Sequence, residues 1–497
     1  MTTLPTQPVF ASTIMQSTPV NEIPAIRKEL EAGFRKGVAQ SLEWRRHQLY
    51  QLARMVQDHL DEWVQAIISD LGRPIAETYP SETGLIIERS IISASQLETW
   101  TAPEVLTDIV PDWQKSWKPT IYRAAKGVVL IIGPWNYPMV LTLQPLMGAI
   151  AAGCCAVVKP SELSPHYSAL LAKLLPKYLD PAAYRVILGG PDVGTQAMEI
   201  RWDHIFFTGG GKIGRIIATA AGKHLTPVTL ELGGKSPIIV DPNYDIKLAA
   251  KRILWGKISN CGQICVCPDH VFVVREKQEE FIAALEEYYH RFFPDGALGS
   301  DSIGCIVNEA HFNRLKGLLA RTKGIIVLGG QTDDKLGMEP TIVKDVTQED
   351  SLMEEELFGP ILPILPVDSV EDAIKQIRSR PHPLMLYVFT DDPKLKKNVL
   401  ANTLSGNIAF NDTFQALSVN ELPLGGVGDS GYGYQILRHG FNTFSYLRSS
   451  IDMPRDAEAS LEVRYPPYTK EKVALLGTTS FMNILDSHLC SSYSADT

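Results

Sequence analysis

Cysteine is scarce in this sequence and unevenly spread. The seven are Cys154, Cys155, Cys261, Cys265, Cys267, Cys305 and Cys490, in 497 residues. An odd, clustered set excludes a disulfide-stapled scaffold and points to a reducing compartment. Charge of one sign is lacking too. The 47 basic and 56 acidic side chains leave a net −9, so no global basic field points to nucleic acid or an anionic membrane. The first 26 residues contain neither Lys nor Arg, which excludes both a secretory signal and a mitochondrial presequence. There is no repeat period and no low-complexity tract. What is present is ordinary for a globular chain: 45% hydrophobic and 21% charged residues. At ~150 residues per domain the length predicts about three compact units.

One long apolar run needs explaining. Residues 127–158 form a stretch of 32 without a charge, long enough for a membrane helix. Pro134, Asn136, Pro138, Gln144 and Pro145 interrupt it, and each break would strand backbone groups in lipid. The run divides instead into a strand (127–132), a polar turn (133–138), a helix near 140–152 and a strand (154–158). That is a βαβ unit buried on both faces. In the C-terminal tail, 473–476 and 481–485 are apolar but too short to span a bilayer.

Elsewhere the first hundred residues read as helical. Ser41 is placed to cap an amphipathic run that continues to a stop at Gly72. From residue 127 onward, short apolar runs alternate with helical patterns: 128–132, 156–159, 186–188, 204–207, 228–230 and 237–240. The alternation resumes over 271–274, 325–328, 384–389 and 407–410, with helices over 279–292 and from Val370. This spacing predicts two parallel α/β domains in series. The segments 113–122 and 444–451 read as extended arms outside the two cores.

Two motifs carry chemistry. Gly209-Gly210-Gly211-Lys212-Ile213-Gly214 follows an apolar strand and opens a helix, a turn where backbone amides approach a pyrophosphate closely. The acid expected further on is Glu231, which an ordinary dinucleotide-binding reading would place on the ribose. Against that, at least two strand–helix units precede the motif. Glu231 also runs directly into a second glycine turn, Leu232-Gly233-Gly234-Lys235, as though presented to a cleft. The second motif, Asn260-Cys261-Gly262-Gln263-Ile264-Cys265-Val266-Cys267-Pro268-Asp269-His270, allows three readings. It offers a metal site with unusual spacing, buried packing, or a nucleophile. The spacing does not choose among its three thiols.

The ordered set of motifs resembles the aldehyde dehydrogenase superfamily. It comprises Pro134-Trp135-Asn136-Tyr137-Pro138, Lys159-Pro160-Ser161-Glu162, Phe207-Thr208-Gly209, Glu231-Leu232-Gly233-Gly234-Lys235-Ser236-Pro237, Gly262-Gln263-Ile264-Cys265, Glu356-Leu357-Phe358-Gly359-Pro360 and the segment 422–431. The forms of the first two are similar to the class 3, fatty-aldehyde branch, and the likeness runs from about residue 25 to 450. It implies an α/β fold of two Rossmann-like parallel-sheet domains with a small β bridging arm that pairs subunits. The NAD-binding domain would span 1–104 and 126–230 and the catalytic domain 231–431. The arm would be 105–125 with 432–455, followed by a tail, 456–497. It implies oxidation of an aldehyde to the acid with NAD, or NADP, and a catalytic set of Cys265 as nucleophile, Asn136 as oxyanion donor and Glu231 as the base that activates water. Cofactor contacts would come from Trp135, Lys159, Glu162, Thr208, Gly209, Gly214, Glu356 and Phe358. Glu162, beside a ribose hydroxyl, favours NAD. Glu231 thus moves from cofactor binding to chemistry, and the Gly428-Asp429-Ser430-Gly431 segment becomes a structural turn.

Three positions depart from the branch pattern. His270 stands where tyrosine is common, Cys267 where alanine is common, and Gln415 where histidine is common near the substrate entrance. They leave open whether the aldehyde is medium- or long-chain aliphatic, aromatic or an apocarotenal. The transmembrane tail of some fatty-aldehyde members is missing, which favours a soluble, cytoplasmic enzyme; the resemblance implies a homodimer, and neither a metal nor a nucleic-acid partner is expected. Two alternatives remain: release of the thioester to coenzyme A, for which Glu231 is the wrong residue, and a non-catalytic binding protein on the same fold.

Overall fold

The computed structural model describes residues 16–479, so Cys490 and the apolar segment 481–485 lie outside the described residues. The described residues form two compact units, one of residues 16–101 and 124–446, the other of 102–123 and 447–479. In the smaller unit β1 (Glu104–Val105) and β2 (Thr120–Ala125) pair antiparallel, and β16 (Ser445–Ser450) completes a three-stranded sheet in the order β1-β2-β16.

The larger unit holds two sheets. In the first, β3 (Val128–Ile132), β4 (Cys155–Lys159), β5 (Tyr184–Val186), β6 (His204–Thr208) and β7 (Val228–Glu231) are all parallel, in the order β7-β6-β3-β4-β5. The chain winds from β3 out to β5, then returns to the other side of β3. The switch between β3 and β6 opens a crevice at their carboxyl ends, where such sheets bind ligands. The short β15 (Gly431–Tyr432) adds antiparallel beside β7. The uncharged run is therefore strand, turn, the wholly buried helix Val140–Ala152 and strand. Among the described residues no helix is long and apolar enough to cross a membrane.

The second sheet comprises β8 (Pro237–Val240), β9 (His270–Val274), β10 (Ile325–Leu328), β11 (Thr341–Lys344), β12 (Ile361–Val367), β13 (Met385–Phe389) and β14 (Asn407–Phe410). Their order is β10-β11-β12-β9-β8-β13-β14, parallel except for β10. Alternate residues serve its two faces. Ile238, Val240, Val271 and Val273 join one core cluster, and Ile239 and Phe272 the other. Both faces are covered, which is why these strands are apolar throughout rather than alternating.

Several features differ from the sequence reading: there are two compact units rather than about three, the segment 113–122 opens in the short helix Asp112–Lys115 instead of being extended, and the strand expected over 186–188 is Tyr184–Val186. The run from Ser41 to Gly72 is two helices, Leu42–Asp58 and Leu60–Leu71, broken at His59. The Trp63 indole N–H donates to the Met55 carbonyl at 3.2 Å, so a side chain supplies a partner near the first helix's end. The strands β11 and β12 went unread. β12 carries Pro363 and Pro366 in the middle of the sheet, opposite Val343 and Val273. Prolines normally mark an edge or a loop; here burial on both sides overrides that preference.

Candidate active site

The carboxyl ends of four adjacent strands carry most of the predicted residues. Lys159 ends β4, and Glu162 follows it. The turn after β3 carries Trp135 and Asn136, Thr208 and Gly209 close β6, and Glu231 ends β7. The remaining residues come from loops entering adjacent strands of the second sheet: Gly233 and Lys235 before β8, Cys265 before β9, Glu356 and Phe358 before β12. The Asn136 side chain joins the two sets, donating from Nδ2 to the Gln263 carbonyl at 3.0 Å. An amide has two N–H donors, and Gln263, which takes this one, lies two residues before Cys265 in the chain.

Exposure separates the three clustered thiols. Cys261 and Cys267 are buried, and Cys265 alone is partly exposed. The Cys267 Sγ donates to the carbonyls of Gly256 and Pro268, at 3.8 and 3.4 Å. Burial pushes the Cys265 thiol up to about 12, with the Glu356 and then the Glu231 carboxylates adding to the rise. The backbone N–H groups of Cys265 and Val266 oppose it. Behind the loop, the fully buried Tyr387 hydroxyl donates to the Val266 carbonyl at 2.5 Å, fixing the backbone next to the thiol.

Glu231 is 3% exposed, and neither carboxylate oxygen has a partner at hydrogen-bonding geometry. Burial pushes its carboxyl well above the ordinary range, and the Gln435 amide only partly opposes this. A buried acceptor without a partner is a site for water. Glu356 is raised to about 8 by burial and then by Asp269, against N–H donation from Gly234 and the charges of Lys235 and Arg314. The bare backbone of Gly233 makes room for it, since a Cβ there would lie 2.3 Å from Oε2. Phe358, at φ +50, sets its ring 5.4 Å from that of Trp135.

A buried pair that sequence reasoning passed over holds this segment. The Lys235 ammonium donates to Asp269 Oδ1 and to the carbonyls of Leu352 and Glu355 at 2.8 and 2.9 Å. Asp269 Oδ2 accepts from the Leu357 N–H at 2.9 Å. Burial alone would raise Asp269, but the Lys235 charge beside it holds its carboxyl well below the usual range. His270, the departure next door, is buried and pushed down to about 4 by that burial, hence neutral at physiological pH. Among the described residues no group of three or more His, Cys, Asp or Glu side chains could hold a metal ion.

The sequence profile of the aldehyde dehydrogenase family matches residues 7–450. The chain belongs to that family. It is 40% identical to aldehyde dehydrogenase family 3 member B3 of Mus musculus, over 90% of this chain and 93% of that one. It is 41% identical to family 3 member H1 of Arabidopsis thaliana, over 92% and 95%. A solved structure of Staphylococcus aureus AldH in a substrate-bound state superposes with a TM-score of 0.89 and 36% identity, covering 92% of this chain and 99% of that one. The protein is accordingly an NAD(P)-dependent oxidoreductase acting on aldehydes.

In this aldehyde dehydrogenase the glycine turn fits a dinucleotide. A Cβ built on Gly210 meets nothing within 4 Å, and Gly210 caps the helix Gly211–Lys223 with no side-chain partner for the first N–H groups. A helix start of this kind is where anions bind. Thr208 Oγ1 is buried and unpartnered beside it. Gly214 lies one turn into the helix, where a Cβ would sit 2.8 Å from Leu232 Cδ2; it permits the close helix–strand approach. Lys159 Nζ lies 3.4 Å from Glu162 Oε2 at the next strand end but one. Gln415 opens a short turn, Gln415–Ser418, after Phe414, whose ring packs 5.0 Å from Trp255.

Proposed function

We propose that this enzyme oxidises aldehydes to carboxylic acids through a thioester on Cys265. The observation that carries this reading is Cys265 itself, the one partly exposed thiol of its cluster, electrostatically coupled to Glu231 and Glu356. As a thiolate, Sγ adds to the aldehyde carbon, and the carbonyl oxygen becomes an oxyanion. The free Asn136 N–H and the Cys265 backbone N–H would donate to it. The nicotinamide, when bound, supplies an acceptor for the hydride leaving that carbon. The remaining thioester is attacked by a water whose proton passes to Glu231, and the acid departs as Sγ is freed.

For the cofactor, Lys159 and Glu162 would take the adenosine ribose, Thr208, Gly209 and the helix start behind Gly210 and Gly214 the pyrophosphate, and Trp135, Glu356 and Phe358 the nicotinamide end. The Glu162 carboxylate would repel a 2′-phosphate, so NAD is the preferred form. We assign the six-stranded sheet to cofactor binding and the seven-stranded sheet to the nucleophile. The substrate is a medium- or long-chain aliphatic, aromatic or apocarotenoid aldehyde, and the enzyme is a cytoplasmic homodimer joined through the smaller unit. Reduced nicotinamide formed from decanal and NAD without coenzyme A is the expected result; turnover only with coenzyme A would replace hydrolysis by acyl transfer. Cys265→Ser should abolish oxidation while cofactor binding persists, and residual turnover would remove Cys265 as nucleophile. In Glu231→Gln, acyl-enzyme should accumulate and be detected by mass; a normal steady state would assign the base elsewhere.

A further inference from the structure

The turn bearing Asn136 and the loop bearing Cys265 come from different sheets, and something must hold them in register. The group that does so is Arg73, far from both in sequence. Its chain turns inward at Gly72, the left-handed cap (φ 60) that ends Leu60–Leu71. The Arg73 side chain is fully buried and reaches three acceptors. Nε donates to Asn260 Oδ1 at 3.0 Å, Nη1 to Glu82 Oε1 at 2.9 Å, and Nη2 to the Asn136 carbonyl. The guanidinium lies 4.1 Å over the ring of Tyr137.

Each partner extends the hold. The second oxygen of Glu82, itself fully buried, accepts from the Val140 N–H at 2.7 Å. Arg73 and Glu82 therefore grip the Asn136 turn at both ends. Asn260, in the left-handed region at φ 47, donates from Nδ2 to the Asn136 and Gln263 carbonyls, each at 3.0 Å. Its own N–H donates to Glu77 Oε2 at 2.8 Å. A planar guanidinium serves three acceptors in fixed directions, which an ammonium on a flexible stem does not.

We propose that Arg73 is a positioning residue for aldehyde oxidation: paired with Glu82, it fixes the Asn136 amide against the Cys265 loop and acts through Asn136. The proposal rests on Asn136 being the oxyanion donor. A displacement of order 1 Å at such a donor costs about 100-fold in rate. In Arg73→Met with Glu82→Gln, which removes both buried charges together, kcat should fall by about 100-fold, while the NAD dissociation constant measured by fluorescence titration stays put. Arg73→Lys keeps the charge beside Glu82 but loses the fork, and the same loss of kcat with unchanged thermal unfolding is expected; wild-type turnover in that variant overturns the proposal. The deciding measurement is a double-mutant cycle with Asn136→Ala. In that background the further loss from the Arg73 and Glu82 changes should shrink to within about twofold, the scatter of independent sites. Losses that multiply in full would show Arg73 acting independently of Asn136 and overturn the proposal alone. An Asn136→Ala enzyme with wild-type kcat would instead overturn the oxyanion reading beneath it.

Discussion

Cys265 sits in an environment set against its own ionisation. Burial and two carboxylates raise it, Glu356 more than Glu231. Removing Glu356 should therefore lower the thiol's midpoint, and each pH unit of fall gives about tenfold more thiolate. In Glu356→Gln, alkylation by iodoacetamide at fixed mildly alkaline pH should be several-fold faster, up to about tenfold; an unchanged rate would show that burial alone sets the thiol. Glu356 also links pH to stability. Its carboxyl ionises near 8 in the fold against an ordinary 4.5. It binds its proton more tightly folded than unfolded, so its contribution is complete below about 4.5 and is lost as pH rises through about 8. In Glu356→Gln, Tm should fall less than in the wild type across that interval, and identical slopes would place the titration elsewhere. Of these residues the sequence presented all, but not their states. Three thiols within seven residues were equivalent by spacing; the resemblance alone singled out Cys265, and the structure adds that Cys261 and Cys267 are buried while Cys265 is partly exposed.

Among elements, two glycines of the quoted motifs carry opposite demands. Gly210 has ordinary extended backbone (φ −73, ψ 145) and open space where a Cβ would point. Gly210→Ala should fold with a Tm close to the wild type and bind NAD about tenfold more weakly, since a methyl would stand at the donors of the helix start. Equal affinity would move the pyrophosphate away from that turn. Gly262 is at φ +74, and its Cβ would lie 2.2 Å from the Gly359 carbonyl oxygen. Gly262→Ala should cost about 3 kcal/mol from strain and overpacking together and carry the Cys265 loop out of place, as chemical unfolding and activity would report. The strands read best from sequence were those with unbroken apolar runs, such as β3 and β8. β12 was illegible because local preference argues against two prolines in a strand, and one of the two neighbours that override it, β9, lies far away in sequence.

For the whole molecule, the smaller unit bears on the proposed dimer. β16 is an edge strand of its sheet and exposes every residue after Ser445, Leu447 at 62%. An edge strand left open, here carrying the exposed Tyr446 and Leu447, invites pairing with another chain. Leu447→Lys should convert the dimer to a monomer in sedimentation velocity, and a persisting dimer would put the interface elsewhere. By itself the sequence determined the class of fold, because hydrophobic periodicity and glycine turns are local signals of parallel α/β structure. It also determined the family, because an ordered series of motifs is recorded in residue order. Only the tertiary structure decided which cysteine is open to a ligand, which carboxylate stands buried without a partner, and that Arg73, Glu82 and Asn260 converge on the Asn136 turn. Burial, pKa and a shared hydrogen bond depend on groups such as Arg73 and Asn260, 187 residues apart in the chain, and a count of cysteines holds none of that information.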